Sequence, residues 1–134
     1  MKISSLDSNL VIRYIIGDIP DQRKKVASLL NTPGAIYRLE FMAIAEIVYI
    51  MEKLYQCTRA ETIDQLNFFL AQYDGHISYD HHLTGKVFPF YLSHPKLSFD
   101  DCYLAALAEL NNSTPLYTFD KKLANQHPAA KLLT

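Results

Sequence analysis

Short extended runs alternate with longer segments of helical spacing along the chain, and no other feature limits its fold as much. The runs are "KISSLD", "AIYRL", "HISY", "TPLYTF" and "AKLLT". Between the first two lie "SNLVIRYIIG", with Gly17 as its stop, and "DIPDQRKKVASLLN", opened near Asp18 and Pro20. "NTPG" supplies a turn. Residues 40 to 55 read as a third helix, and Thr58 with Glu61 makes a T-x-x-E capping box for a fourth, ending near Gln72. Residues 80 to 94 have helical spacing interrupted by Pro89, so their structure stays open. Ser98 with Asp101 repeats the capping arrangement before "CYLAALAEL", and a short helix precedes the last run. Strands that alternate with helices predict an α/β fold with a mainly parallel sheet of about four to five strands. The chain has 134 residues, no internal repeat and no linker, so residues 1–134 are expected to form a single domain.

In open α/β sheets, ligands bind beyond the carboxyl ends of the strands. Asp7 ends the first run and Asp120 the fourth. Asp101 sits in the first turn of its helix. Glu46 is the one charged side chain in "FMAIAEIVYIM". That stretch reads as a helix that is apolar all round, which implies burial, and a buried carboxylate needs a cation or a donor. Each acid also has a plainer role open to it. Asp7 would cap the helix after it. Asp101 would complete a capping box, and Asp120 would be a turn residue before Lys121 and Lys122. Glu46 would pair with Arg13 or Arg38. Gathered at one end of a sheet, the four would instead suit Mg2+ or Mn2+, which favour carboxylate oxygens, keep waters and meet substrate phosphates.

The words around these acids are "LDSNLVIRY", "AEIVYIMEKLY", "LSFDDCYLAALA" and "LYTFDKKL". In order and spacing they resemble the PIN-domain ribonucleases, especially the VapC-type toxins of toxin–antitoxin pairs. That family opens on Asp-Ser/Thr-Asn after an apolar residue, often with an arginine beyond; here these are Asp7, Ser8, Asn9 and Arg13. Its helical glutamate matches Glu46. Its third acid matches Asp101, between Phe99 and Ala105, although the adjacent Asp100 competes for the assignment; Asp100 reads as helix-terminal or supporting. Its last word matches Thr118 and Asp120. The resemblance implies a three-layer α/β/α PIN-like fold in which Asp7, Glu46, Asp101 and Asp120 are catalytic and hold Mg2+ or Mn2+. It implies an endoribonuclease that hydrolyses RNA phosphodiesters to a 5′-phosphate and a 3′-hydroxyl. Asn9 and Thr118 would orient the acids or a water, and Arg13 would hold a phosphate or balance the acidic cluster. A cognate antitoxin and a homodimer are the implied protein partners, with the helices at residues 40 to 72 as the place for the contact.

Bulk charge does not attract RNA: the net charge is −1, so affinity must come from local groups or bound ions. Lys121 and Lys122 are placed for phosphate contact beside Asp120; Arg23, Lys24 and Lys25 would track a backbone or form a solvated helix face. The adjacent histidines of "DHHL" point apart on a helix and read as solvated or structural rather than zinc-binding. Cys57 and Cys102 fit no CxxC pattern and read as reduced thiols of a cytoplasmic protein. Asp7 and Arg13 interrupt the N-terminus where a signal peptide would be apolar, and no run is long enough to span a membrane. Two further functions fit the same residues less well: a catalytically inactive PIN-fold RNA-binding or scaffold protein, and a Mg-dependent phosphohydrolase. The word Asp-Ser-Asn, in place of Asp-x-Asp, weighs against the last.

Overall fold

The computed structural model describes residues 2–134. The chain divides into two compact units, Met1–Asp80 and His81–Thr134. All five extended runs form strands, and every pairing is parallel. The fold is α/β as expected, but its strands are distributed over a three-stranded and a two-stranded sheet.

The first unit comprises β1 (Ile3–Ser5), α1 (Ser8–Ile16), α2 (Pro20–Leu30), β2 (Ile36–Arg38), α3 (Phe41–Lys53), α4 (Arg59–Gln72) and β3 (Ile77–Ser78). The strand order is β1-β2-β3, with Ser4 opposite Tyr37 and Tyr37 opposite Ile77. Pairing continues past β1, where the Leu6 amide donates to the Arg38 carbonyl at 2.9 Å. α1 stops at Gly17, whose φ of +68° is in the left-handed region. A side chain at Gly17 would also place Cβ 3.1 Å from Arg23 Cδ. α2 opens on Pro20, whose missing N–H costs nothing in the first turn. α4 carries the full capping box: the Glu61 amide donates to Thr58 Oγ1 at 3.0 Å, and the Thr58 amide to Glu61 Oε1 at 2.8 Å. Tyr14, Phe69 and Tyr73 form an aromatic cluster with centroids 5.4–5.6 Å apart.

α3 corrects one expectation. It is not buried all round. Ile44, Ile47, Val48 and Met51 face the core at helical spacing, whereas Met42, Glu46 and Tyr49 are exposed. Burial therefore places no demand on Glu46.

The second unit begins with a π-helical turn, Leu83–Val87, that runs directly into α5 (Phe88–Ser93). Pro89 falls in the first turn of α5, which is how helical spacing and a proline coexist there. α6 (Phe99–Leu110), β4 (Leu116–Thr118), α7 (Lys121–Gln126) and β5 (Ala130–Leu132) follow. β4 pairs with β5, placing Tyr117 opposite Lys131. Phe99 packs between Phe88 and Tyr91 at 5.9 and 5.3 Å, and Cys102, Ala105 and Ala108 line the buried face of α6. No helix among the described residues is long and apolar enough to cross a membrane.

Candidate active site

In the first unit, Asp7 is the N-cap residue of α1, immediately after Leu6, the last residue tied to β2. Its carbonyl accepts the Leu10 amide, but its side chain makes no capping bond. The buried Ser8 hydroxyl donates to Asp7 Oδ1 at 3.3 Å and steadies the carboxylate instead. Glu46 lies in α3, the helix that begins beyond the carboxyl end of β2. It is exposed, and no hydrogen bond or ion pair joins it to a described residue. Neither arginine expected beside it is its partner. Arg13 Nη1 donates to both carboxylate oxygens of Asp18, at 3.2 and 3.3 Å, and to the Tyr55 hydroxyl at 2.9 Å. The Tyr55 bond foremost, with Asp18 adding to it, raises the guanidinium pKa. Arg38 Nε donates to Glu40 at 2.7 Å.

Asn9, exposed on α1, and Arg13 line a cleft of about 360 Å3 between α1 and α2, with Gln22 and Lys25 opposite and Leu10 and Val26 as its floor. The basic run on α2 is thereby divided. Lys25 faces this cleft. Arg23 turns back to donate to the Tyr14 carbonyl at 2.9 Å and lies 4.8 Å from the Tyr14 ring centre.

In the second unit, Asp101 occupies the third position of α6. Its amide donates to Ser98 Oγ at 3.1 Å, so Ser98 caps the helix. Only that half of the expected box forms. The half-buried Asp101 carboxylate has no hydrogen-bond or ion-pair partner among the described residues, and neither has the exposed Asp100. The chain reverses between Leu110 and Leu116, and a cleft of about 190 Å3 between Leu104, Ala108 and Tyr117 shows α6 lying alongside β4. Asp120 stands just past the carboxyl end of β4. Asp120 caps α7: its Oδ1 accepts from the Lys122 and Leu123 amides at 2.9 and 3.3 Å. Thr118 Oγ1 accepts the Asp120 amide at 3.0 Å and fixes the turn. Oδ2 of Asp120 makes no bond to a described residue. Lys121 and Lys122 are exposed.

Each unit, taken by itself, supplies two of the four acids. Among the described residues, no group of three or more His, Cys, Asp or Glu side chains is placed to hold a metal ion. The donor set still suits a hard divalent ion. All four donors are carboxylates: Glu46 and Asp101 have no partner among the described residues, and Asp7 and Asp120 each keep one oxygen open. Mg2+ keeps several waters and commonly takes only one or two protein carboxylates beside substrate phosphates.

Three contributors escape sequence reasoning. Ser8 stood within the Asp-Ser-Asn word but had no role of its own, although a hydroxyl beside an aspartate was a signal. Asp18 and Tyr55 had none: Tyr55 is 42 residues from Arg13.

Parallel strands with acids beyond their carboxyl ends place the candidate site where α/β folds bind ligands, and comparison with known families gives it a class. The PIN domain family model matches residues 5–127, and the chain belongs to that family. The PIN domain is generally a nuclease fold, which places the chain with ribonucleases at family level. Comparison with curated proteins finds no match.

Proposed function

We propose that the protein is a Mg2+- or Mn2+-dependent endoribonuclease, the toxin of a type II toxin–antitoxin pair, acting in the cytoplasm as a homodimer restrained by its antitoxin. The observation that carries the catalytic part is the idleness of its acids. Asp7 and Asp101 occupy helix-start positions where a carboxylate ordinarily caps, and neither does. Carboxylates at helix starts that do not cap their helices suit ligation better than stability. The resemblance of the four words, in order, is what joins the pair Asp7 and Glu46 to the pair Asp101 and Asp120.

A divalent ion held by these carboxylates supplies positive charge to the phosphoryl oxygens of the scissile bond. The chain's own groups do the rest. Ser8 holds Asp7 by one oxygen, leaving the other outward. Thr118 and the α7 amides fix Asp120 in the same manner. Lys121 and Lys122 in the second unit and Lys25 in the α1–α2 cleft of the first are exposed cations able to meet RNA phosphates. Asn9 presents an amide able to orient a water or a ribose hydroxyl.

The test is cleavage of RNA by contaminant-free protein. Activity is expected with Mn2+ or Mg2+ and none with excess chelator, and Asp7→Asn or Asp101→Asn should lower the rate by orders of magnitude in a folded protein. Full cleavage in chelator would sink the metal mechanism. A second reading, an RNA-binding PIN protein without cleavage, draws on one observation: no three acids stand as a ready metal cluster among the described residues. Binding of RNA without cleavage in any divalent ion would favour it.

A further inference from the structure

Beside Asp120 the second unit exposes two aromatic rings that core packing does not explain. Tyr117 is 60% exposed and Phe119 78%. Tyr117 projects from β4 into solvent, and Phe119 is exposed at the bend immediately after the strand. Neither makes a ring contact or a side-chain hydrogen bond with a described residue. Phe119 is the immediate neighbour of Asp120. Three exposed lysines are close by: Lys121 and Lys122 follow Asp120 in the chain, and Lys131 lies opposite Tyr117 on β5. Tyr117 also walls the cleft against α6, where Leu104 and Ala108 are apolar and Asn111 is polar.

We propose that Tyr117 and Phe119 form a stacking platform for unpaired bases of single-stranded RNA, with Lys121, Lys122 and Lys131 holding its phosphates. This rests on the ribonuclease reading above and names residues that would hold its RNA. Aromatic rings take base faces, which a duplex conceals, so such a platform selects single strands. The lysines supply the local charge that a chain of net charge −1 otherwise lacks. A base stacked on Phe119 brings its own phosphates to Asp120, one residue away. An apolar protein surface seated here would strip water from three lysines and offer them nothing.

The test uses Asp7→Asn protein in Mn2+, which suppresses cleavage, with a short single-stranded RNA carrying 2-aminopurine. Stacking quenches that base. Quenching and binding are expected, and Phe119→Ala or Tyr117→Ala in that background should each weaken binding about tenfold and relieve the quench. Phe119→Tyr should restore both, and the same sequence as a duplex should bind poorly. Unchanged binding and quenching in both alanine variants, or equal affinity for duplex, would overturn the platform. So would alanine variants that change the mass in light scattering while RNA binding stays intact, since the face would then serve a second copy. Cleavage by the parent chain is read alongside. Cleavage indifferent to both rings removes the platform and leaves the ribonuclease reading. Ring-dependent quenching without cleavage sustains the platform and removes the ribonuclease reading. Neither binding nor cleavage removes both.

Discussion

The carboxylates proposed as ligands differ in what else they do for the protein, and single substitutions should separate those duties. Glu46 has no other duty: it is exposed and unpartnered among the described residues. Glu46→Gln should leave metal-free stability within about 0.5 kcal/mol of the parent, the ordinary range for surface changes. The parent should melt higher with Mn2+ than without, because an ion bound to the folded state adds stability. The variant should lose much of that gain. Melting curves with and without Mn2+ check this, and a variant that keeps the whole gain would end the role given to Glu46. His127 makes a different demand. Its ring is buried, and the Ala129 amide donates to Nδ1 at 3.1 Å, which leaves the proton of the neutral ring on Nε2. Burial holds its pKa below the ordinary histidine value; Glu109, 3.6 Å from Nε2, opposes this, and His94 adds to it. The folded chain thus takes up this proton later than the unfolded chain as pH falls. The stability it contributes is complete above about pH 6.5 and is lost as pH drops toward the lowered folded value. His127→Gln should flatten the fall in melting temperature across that acid window, and equal slopes in both proteins would clear His127 of it.

At the scale of elements, local chemistry was legible and tertiary cover was not. Gly17, Pro20 and the Thr58–Glu61 box mark helix ends by short-range rules, and each is found where its residues put it. α3 was misread because an apolar side chain need not be covered. Burial of polar groups is restricted, but exposure of apolar ones is not, and Met42 and Tyr49 remain in solvent. The division of five strands into two sheets lies equally beyond residue preferences, since pairing is decided between distant segments. The acids could be placed on their elements because each sits in a local word. The contacts that orient Asp7 and Asp120 are just as local, from Ser8, Thr118 and the first amides of α7, whereas the Tyr55 hydroxyl that holds Arg13 comes from 42 residues away. The helix starts permit a graded experiment. Thr58→Ala removes a cap in use and should cost about 1 kcal/mol. Asp120→Ala should cost a similar amount, about 1 kcal/mol, because Oδ1 caps α7, whereas Asp120→Asn keeps an acceptor there and should impair cleavage with little loss of stability. Urea unfolding of the three variants checks the order.

At the scale of the whole molecule, the proposed self-association has a testable face. Met42, Tyr49, Leu54 and Phe68 expose large apolar side chains within residues 40 to 72, the segment expected to meet a partner chain. If two copies meet there, Tyr49→Glu with Phe68→Glu should shift the mass seen by light scattering from dimer to monomer. A parent chain that is monomeric at high concentration would dispose of the dimer. The start of α1 carries a consequence for the chain as an object of selection. Position 7 is an N-cap whose side chain does nothing for its helix. A randomised library sorted only for folded, protease-resistant protein should therefore accept serine, threonine or asparagine there freely, and should even enrich them. The same library sorted for RNA cleavage in Mn2+ should retain aspartate alone. Breeding this chain for robustness without watching its activity would thus disarm it first at Asp7.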